Sequence, residues 1–238
     1  MLINQQQNTV PRTPWNILCD FDGTVSLKDT TDFLLENFAQ EGWQEIEQQW
    51  EKGLIGSKQC MQQQIALLKM TQQQFYQCLD QIEIDQGFLE LVKLSTQYEI
   101  PLIIVSDGLD LVIQYILSKY KLSHLPIVAN QLIQTDEDQW RLDFPNTNSS
   151  CISASGTCKC KVAQQYQPEH IILIGDGRSD FCLSEVADYV FAKKSLIEHC
   201  REKQILHSPF EQFSEIQRPL EKLLVGDFAI NHNMMVIE

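Results

Sequence analysis

The sequence predicts an α/β protein: a doubly wound parallel sheet with a small helical insertion after its first strand. Three observations predict it. From Phe88 onward, apolar stretches of strand length alternate with amphipathic runs at helical spacing, the pattern of βαβ units. Between residues 27 and 85 no convincing strand occurs, and apolar residues recur at helical spacing in a Gln- and Glu-rich background. Three apolar stretches end in polar signatures, DFDGT at Asp20, SDG at Ser106 and GDGRSD at Gly175. Right-handed crossovers bring such strand ends to one edge of the sheet, where open α/β sheets bind ligands.

In chain order, residues 1–14 are polar and Gln-rich and read as a flexible lead-in without the apolar stretch of a signal peptide. Asn16 to Cys19 form the core of the first strand. The insertion follows in helical runs through Phe33, Leu34, Phe38, Trp43, Ile46 and Trp50, then Met61, Ile65 and Leu68, then Phe75, Leu79 and Ile82. Gly53 and Gly56 punctuate it, and Thr71 reads as a helix N-cap. Helix is predicted for 88–98, strand for 102–105 and helix for 109–120. A strand follows at 126–130, then a hairpin over 132–144 with Trp140 and Leu142 on its return arm. Residues 145–157 read as a loop of small residues and Lys161 to Tyr166 as helix. His170 to Ile174 is predicted as strand, 179–186 as helix, 189–192 as strand, and 196–203 and 210–224 as helices. Residues 226–238 read as a flexible tail.

Composition narrows the function. A chain of 238 residues can bury roughly 70–75% of its unfolded surface, so a full core is available. Its net charge of −14 argues against a nucleic-acid partner, and an anionic substrate would need local cations. No apolar run approaches the ~20 residues of a membrane span. The eight cysteines are mostly scattered, which fits free thiols in the cytoplasm. Cys151, Cys158 and Cys160 cluster in sequence, but no fourth zinc ligand stands nearby.

The chemistry lies in the strand-end signatures. Two carboxylates one residue apart, Asp20 and Asp22, end a buried strand, and buried acids need a compensating cation or hydrogen bonds. Ser106 comes from a second strand end, and Asp176 and Asp180 from a third. Such a set is a hard-oxygen site that suits Mg²⁺. Ser106 also fits a helix cap, and Asp180 also fits a helix N-terminus.

These motifs, in this order, resemble the haloacid dehalogenase-like (HAD) superfamily and, within it, the phosphoserine phosphatase-like branch. The D-x-D-G-T motif stands at Asp20 to Thr24, the strand-closing hydroxyl at Ser106 and G-D-x-x-x-D at Gly175 to Asp180. The motif lysine has two candidates, Lys159 and Lys161. Lys159 is preferred because its setting, S-G-T-C-K, is similar to the C-G-x-C-K segment of a subgroup that includes 2-hydroxy-3-keto-5-methylthiopentenyl-1-phosphate phosphatases. Here Ser155 replaces that segment's first Cys. The resemblance implies a HAD-like Rossmannoid core over 15–26 and 86–225, with residues 27–85 as a helical cap. It implies that Asp20 attacks phosphorus and that Asp22 shuttles a proton. Mg²⁺ would be held by Asp20, Asp176 and the backbone carbonyl of Asp22, with Asp180 in support. Ser106, Asp107, Gly108 and Lys159 would bind the phosphoryl group.

The implied reaction is Mg²⁺-dependent hydrolysis of a small phosphorylated metabolite through an aspartyl-phosphate. The leading substrate is the methylthiopentenyl phosphate. Phosphoserine, phosphoethanolamine and phosphocholine are alternatives, although the cap has no arginine to anchor a phosphoserine carboxylate. A phosphomutase, or a silent phosphate-binding domain, uses the same frame. Asp29, Thr30 and Asp32 could reach a polar substrate tail, or Thr30 or Thr31 could cap the next helix. Phe33 and Phe38 could line the pocket or belong to the core.

Overall fold

The computed structural model describes residues 15–166 and 168–224. The two segments expected to be flexible, 1–14 and 226–238, lie outside them. Strand β1 (Trp15–Cys19) is apolar on both faces and lies at the centre of the sheet. Four helices follow: α1 (Thr30–Phe38), α2 (Trp43–Glu51), α3 (Ser57–Ile65) and α4 (Gln72–Leu79). The run expected from Phe33 to Trp50 is therefore two helices, broken before Trp43 at Gly42, whose φ of +103° continues no right-handed helix. The cap of α1 is Asp29 rather than Thr30 or Thr31. Its carboxylate accepts the backbone N–H groups of Thr31 and Asp32, which frees Thr30 for another partner. Thr71 caps α4 as expected, in a reciprocal capping box with Gln74.

Helix α5 (Gly87–Gln97) leads to β2 (Leu102–Leu109), and α6 (Asp110–Lys119) leads to β3 (Ile127–Gln134), which turns back as β4 (Trp140–Asp143). Two sequence boundaries are corrected here. Strand β2 continues through Ser106-Asp107-Gly108 to Leu109 instead of ending at the signature. Strand β3 is one continuous strand rather than a strand followed by a hairpin arm. Both extensions pair along one edge, Leu109 opposite Asn130 and Leu132 opposite Leu142. Helix α7 (Lys159–Tyr166) starts two residues before its expected position. After β5 (His170–Gly175), a 3₁₀ turn at Arg178–Asp180 runs into α8 (Phe181–Ser184). Then come β6 (Tyr189–Ala192), α9 (Lys194–Glu202), β7 (His207–Pro209), a 3₁₀ turn at Phe213–Glu215 and α10 (Gln217–Leu224). The helix expected over 210–224 is thus only its last eight residues. Strand β7 escapes a sequence reading because three residues, one of them Pro209, carry no measurable period.

The sheet order is β4-β3-β2-β1-β5-β6-β7, parallel except for β4. Alternate residues of the central strands feed two cores. Ile17, Cys19, Leu102 and Ile104 face the larger one, shared with the insertion, α5, α6 and α10. Leu18, Ile103, Val105 and Leu173 face the smaller one under α7, α8 and α9. No described helix is long and apolar enough to cross a membrane.

Asp85 joins the end of the insertion to both sides of the larger core. One carboxylate oxygen accepts the Gly87 N–H and the other the Phe213 N–H, each at 2.9 Å. Gly87 has no room for a Cβ against the backbone of residues 213 and 214. Replacing Asp85 with Ala leaves two amides without partners, at about 1–3 kcal/mol each when buried. Thermal unfolding of D85A is expected several degrees below wild type, and an unchanged Tm would mean that water takes over both bonds.

Candidate active site

The chain at the end of β1 folds back on itself. The N–H groups of Thr24, Val25 and Ser26 all converge on the Phe21 carbonyl. Gly23 makes this loop possible at φ +71°, and a Cβ there would strike the Lys194 ammonium and the Asp176 carboxylate. The loop holds Asp20 and Asp22 apart and gives them different surroundings.

Asp20 is buried at the floor. Its Oδ1 accepts Lys159 Nζ at 2.7 Å and its Oδ2 accepts the Thr24 hydroxyl at 3.3 Å. Lys159, the first residue of α7, also donates to Asp180 Oδ1 at 2.6 Å. Asp180 Oδ2 accepts the N–H groups of Asp176 and Gly177 at the end of β5. Burial works against the Lys159 charge, but Asp180 and Asp20 outweigh it and hold its pKa above the ordinary value. Burial also pushes the Asp20 carboxyl up, Lys159 opposes it, and Asp180 and Asp176 add to it. One ammonium does not offset this much buried acid. Oxygens of Asp20, Asp176 and Asp180 lie within 4.8 Å of one another, a hard-oxygen set that fits a divalent cation.

Asp22 points the other way. Its Oδ1 accepts both the backbone N–H of Thr30, at 2.9 Å, and the Thr30 hydroxyl, at 2.5 Å. Its Oδ2 is buried without a partner. Burial pushes the carboxyl up to about 7, with Asp29 adding and the Thr30 bonds opposing. With Oδ1 already accepting two donors, the proton belongs on Oδ2. Gly108 has no side chain because that carboxylate occupies the space.

Ser106 Oγ accepts the Gly108 N–H at 2.9 Å. The Asp107 carboxylate is fully engaged. Ser57 at the start of α3 donates to Oδ2 at 2.5 Å, while the Thr157 N–H and Asn130 Nδ2 donate to Oδ1 at 2.8 and 3.1 Å. Of the two lysine candidates, Lys159 stands in the floor and Lys161 donates to the Thr147 carbonyl. A cavity of about 470 Å³ lies over the floor, lined by Asp20, Asp22, Ser106 to Gly108 and Asp176 below. Its other wall comes from the insertion and includes Asp32, Glu47, Trp50, Met61 and Gln64. Asp29 and Asp32 reach this cavity, whereas Phe33 and Phe38 pack on the core.

Sequence reasoning missed several residues that shape the site. Ser57 and Asn130 hold the Asp107 carboxylate across 50 and 23 residues of sequence, where no local pattern announces them, and Thr30, expected as a cap or a substrate contact, instead holds Asp22. Lys194 pairs with Asp176 at 2.8 Å from a left-handed backbone, φ +43°. Arg178 lies over the Trp50 ring, 5.1 Å from its centre. It stands inside the GDGRSD signature, so its position was legible even though its role was not.

A parallel sheet carrying paired aspartates at one strand end, a hydroxyl at the next and a lysine-bridged aspartate at a third defines a hydrolase built for phosphoryl transfer. The family model for haloacid dehalogenase-like hydrolases matches residues 17–185. The chain is similar to the 2-hydroxy-3-keto-5-methylthiopentenyl-1-phosphate phosphatase of Brevibacillus brevis, 29% identical over 87% of this chain and 95% of that one. Its counterpart of the same name in Exiguobacterium sibiricum is 33% identical over 84% and 93%. Among solved structures, a phospho-aspartyl intermediate analogue of phosphoserine phosphatase superposes with a TM-score of 0.65, at 20% identity, over 85% of this chain and 97% of that one. The chain belongs to the haloacid dehalogenase-like hydrolase family, as one of its phosphatases.

The raised pKa of Asp22 has a stability consequence. Its folded value, near 7, lies above the ~3.9 of an unfolded Asp. Its contribution is therefore fully present below pH ~4 and is lost as pH rises through 7. Asn at this position keeps the Thr30 bonds and carries no charge. D22N is expected to melt at least ~3 °C above wild type at pH 8, with the gap closing toward pH 5. A gap independent of pH would show that Asp22 is ionised throughout.

Proposed function

We propose that the chain hydrolyses a small phosphomonoester through an aspartyl-phosphate on Asp20, with Asp22 as general acid and then general base. The observation that carries this reading is the division of labour between the two acids. Asp20 is tied to the Lys159 ammonium, which works toward its ionised, nucleophilic form against the burial and neighbouring acids that push its carboxyl up. Asp22 has one oxygen clamped by Thr30 and the other without a partner, and its carboxyl, pushed up to about 7, can both hold and release a proton around neutral pH. A carboxyl with a pKa near the working pH can give a proton to the leaving alcohol and later take one from water.

In the first step an Asp20 oxygen attacks phosphorus, the ester P–O bond breaks and the Asp22 proton passes to the leaving oxygen. In the second, Asp22 removes a proton from water, which attacks phosphorus and frees Asp20. Lys159 and Ser106, with the main chain of Asp107 and Gly108, receive the phosphoryl oxygens. The Asp107 carboxylate is committed to Ser57, Thr157 and Asn130 and would repel phosphate, so its part is to hold the strand end. Asp20, Asp176, Asp180 and the Asp22 carbonyl would hold Mg²⁺, which when bound offsets the repulsion between phosphate and carboxylates. We take residues 27–85 as a cap over the 15–26 and 86–225 core, excluding water from the reaction. Eight free thiols fit a cytoplasmic setting.

The cap wall selects the alcohol half. It presents Asp32 and Glu47 beside Trp50 and Met61, and burial and the neighbouring acids Asp29, Glu47 and Glu36 push the Asp32 carboxyl up to about 7. A second carboxylate, as in phosphoserine, would be repelled. An uncharged, hydroxylated leaving group with an apolar end fits, which favours the methylthiopentenyl phosphate that the relatives' names specify. The same acids favour phosphoethanolamine as the second reading.

Ranking purified phosphometabolites by kcat/KM tests the substrate. The methylthiopentenyl ester should lead, phosphoethanolamine should follow and phosphoserine should come last; phosphoserine in first place would overturn the assignment. With p-nitrophenyl phosphate, D20N should lose on the order of 10³-fold or more in kcat. K159A should fall far below K161A, and chelation of divalent cations should abolish turnover until Mg²⁺ is returned. Equal activity of K159A and K161A would sink the placement of the phosphate-binding lysine.

A further inference from the structure

Four cysteines, Cys151, Cys158, Cys160 and Cys182, gather beside the start of α7 although the proposed reaction uses none of them. Two are arranged as a pair. Asn148 ties them together: its carbonyl accepts the Cys151 N–H at 3.0 Å and its side-chain amide reaches Cys158 Sγ at 3.8 Å. The Cys158 N–H is held in turn by the Asn146 carbonyl. Ser153 Oγ lies 3.5 Å from Cys151 Sγ. Ser155 and Cys158 lie close enough to that sulfur to favour its ionised form as well. Burial pushes the Cys151 thiol up, but these neighbours outweigh it and bring its pKa below the ordinary value. Burial and the Cys151 sulfur hold Cys158 in the protonated form. The arrangement is a thiol whose ionised form is favoured beside one whose protonated form is favoured.

Access differs in the same sense. Cys151 lines an open groove of about 450 Å³ between this loop and α3, whereas Cys158 is buried. Elsewhere burial pushes the thiols of Cys60 and Cys160 up to about 12. Nor is the cluster gathered around a cation, since among the described residues only the three aspartates of the floor group closely enough for metal ligation.

We propose that Cys151 and Cys158 form an oxidisable dithiol, converted by hydroperoxides to a reversible disulfide that restrains the cap. The Cys151 thiolate attacks a peroxide oxygen, the O–O bond breaks, and hydroxide (or an alkoxide) leaves, giving a sulfenic acid. The Cys158 sulfur then attacks the Cys151 sulfur. The S–S bond forms, the S–O bond breaks, and the oxygen leaves as water with the Cys158 proton. Peroxide takes up the two electrons that the sulfurs lose.

Closing the bond draws the sulfurs to about 2.0 Å. Two groups between or beside them hold the site. The Ala154 carbonyl accepts the Lys58 N–H of α3 at 3.0 Å, and Ala154 packs where a Gly56 Cβ would stand. The Thr157 N–H holds Asp107. The disulfide therefore tightens the loop against α3 and the end of β2 together. Its effect on turnover rests on the phosphatase reading, while the cross-link itself does not.

The test treats the reduced full chain with hydrogen peroxide, blocks free thiols and maps the cross-link by mass spectrometry. Turnover of p-nitrophenyl phosphate is followed before oxidation, after it and after dithiothreitol. The expected result is a Cys151–Cys158 disulfide, with a several-fold loss of kcat that dithiothreitol reverses. C151S and C158S should keep their activity in peroxide. A cross-link from Cys151 to Cys182, whose sulfur lies 3.5 Å from the same Ser153 hydroxyl, would overturn the proposal. So would sulfinic acid without a cross-link, or Cys151 reacting no faster than Cys60. A mapped disulfide without loss of turnover would overturn its control of the cap. Mapping on the wild-type chain decides the matter even if a variant fails to fold or no ester is hydrolysed.

Discussion

A lysine ammonium sealed between two carboxylates is the interaction on which the site depends. Lys159 touches Asp20 from β1 and Asp180 from the turn after β5, and all three are almost completely buried. Like charges ~4 Å apart at an effective dielectric of ~20 repel by about 4 kcal/mol, so the two strand ends would not share this space without a cation between them. A helix N-terminus is an unfavourable place for a lysine, and burial opposes its charge as well. The two aspartates overcome both. Such a triad adds little net stability, since desolvation consumes most of the attraction. Its effect is geometric: it fixes the first turn of α7 against β1 and β5, and with it the height of the ammonium above the nucleophile.

The cap contributes to the same electrostatic problem from the opposite side. Its wall is acidic where the floor is acidic, and Arg178 is the one basic side chain lining the cavity. The field inside the cavity therefore favours cations over anions except beside Lys159 and Arg178. A phosphate enters only at the floor, and only with its charge compensated. The substrate preference proposed above rests on this contrast: negative charge remote from phosphorus would meet the acidic wall, with Arg178 as the one basic group among the described lining residues.

The parts of this architecture that depend on neighbours in sequence were legible beforehand. Asp20 and Asp22 are one residue apart, Gly175 to Asp180 is a single turn, and strand and helix periods mark most of the sheet. Lys159 was preferred over Lys161 from its immediate setting, and their surroundings now differ sharply. What stayed hidden depends on the tertiary neighbours a side chain meets rather than on the local pattern. Thr30 was read as a cap or a substrate contact, but Asp29 takes the cap and Thr30 clamps Asp22. Nothing local tells Ser57 from any other serine at a helix start, yet it meets Asp107 fifty residues later. Strand β7 is too short for a pattern, and β2 and β3 run on past polar residues because their edges continue to pair.

The bond between Ser57 and Asp107 couples lid mechanics to the floor. Ser57 begins α3, and Asp107 is continuous with the strand that carries Ser106. Any outward swing of α3 strips one donor from a buried carboxylate that has three, and the remaining two belong to the core. The Lys58 N–H of the same helix is held by the Ala154 carbonyl, so moving α3 outward would break both bonds at this rim. On the proposed reading of the insertion as a cap, phosphate and alcohol would leave past the same rim, so their release would share one gate.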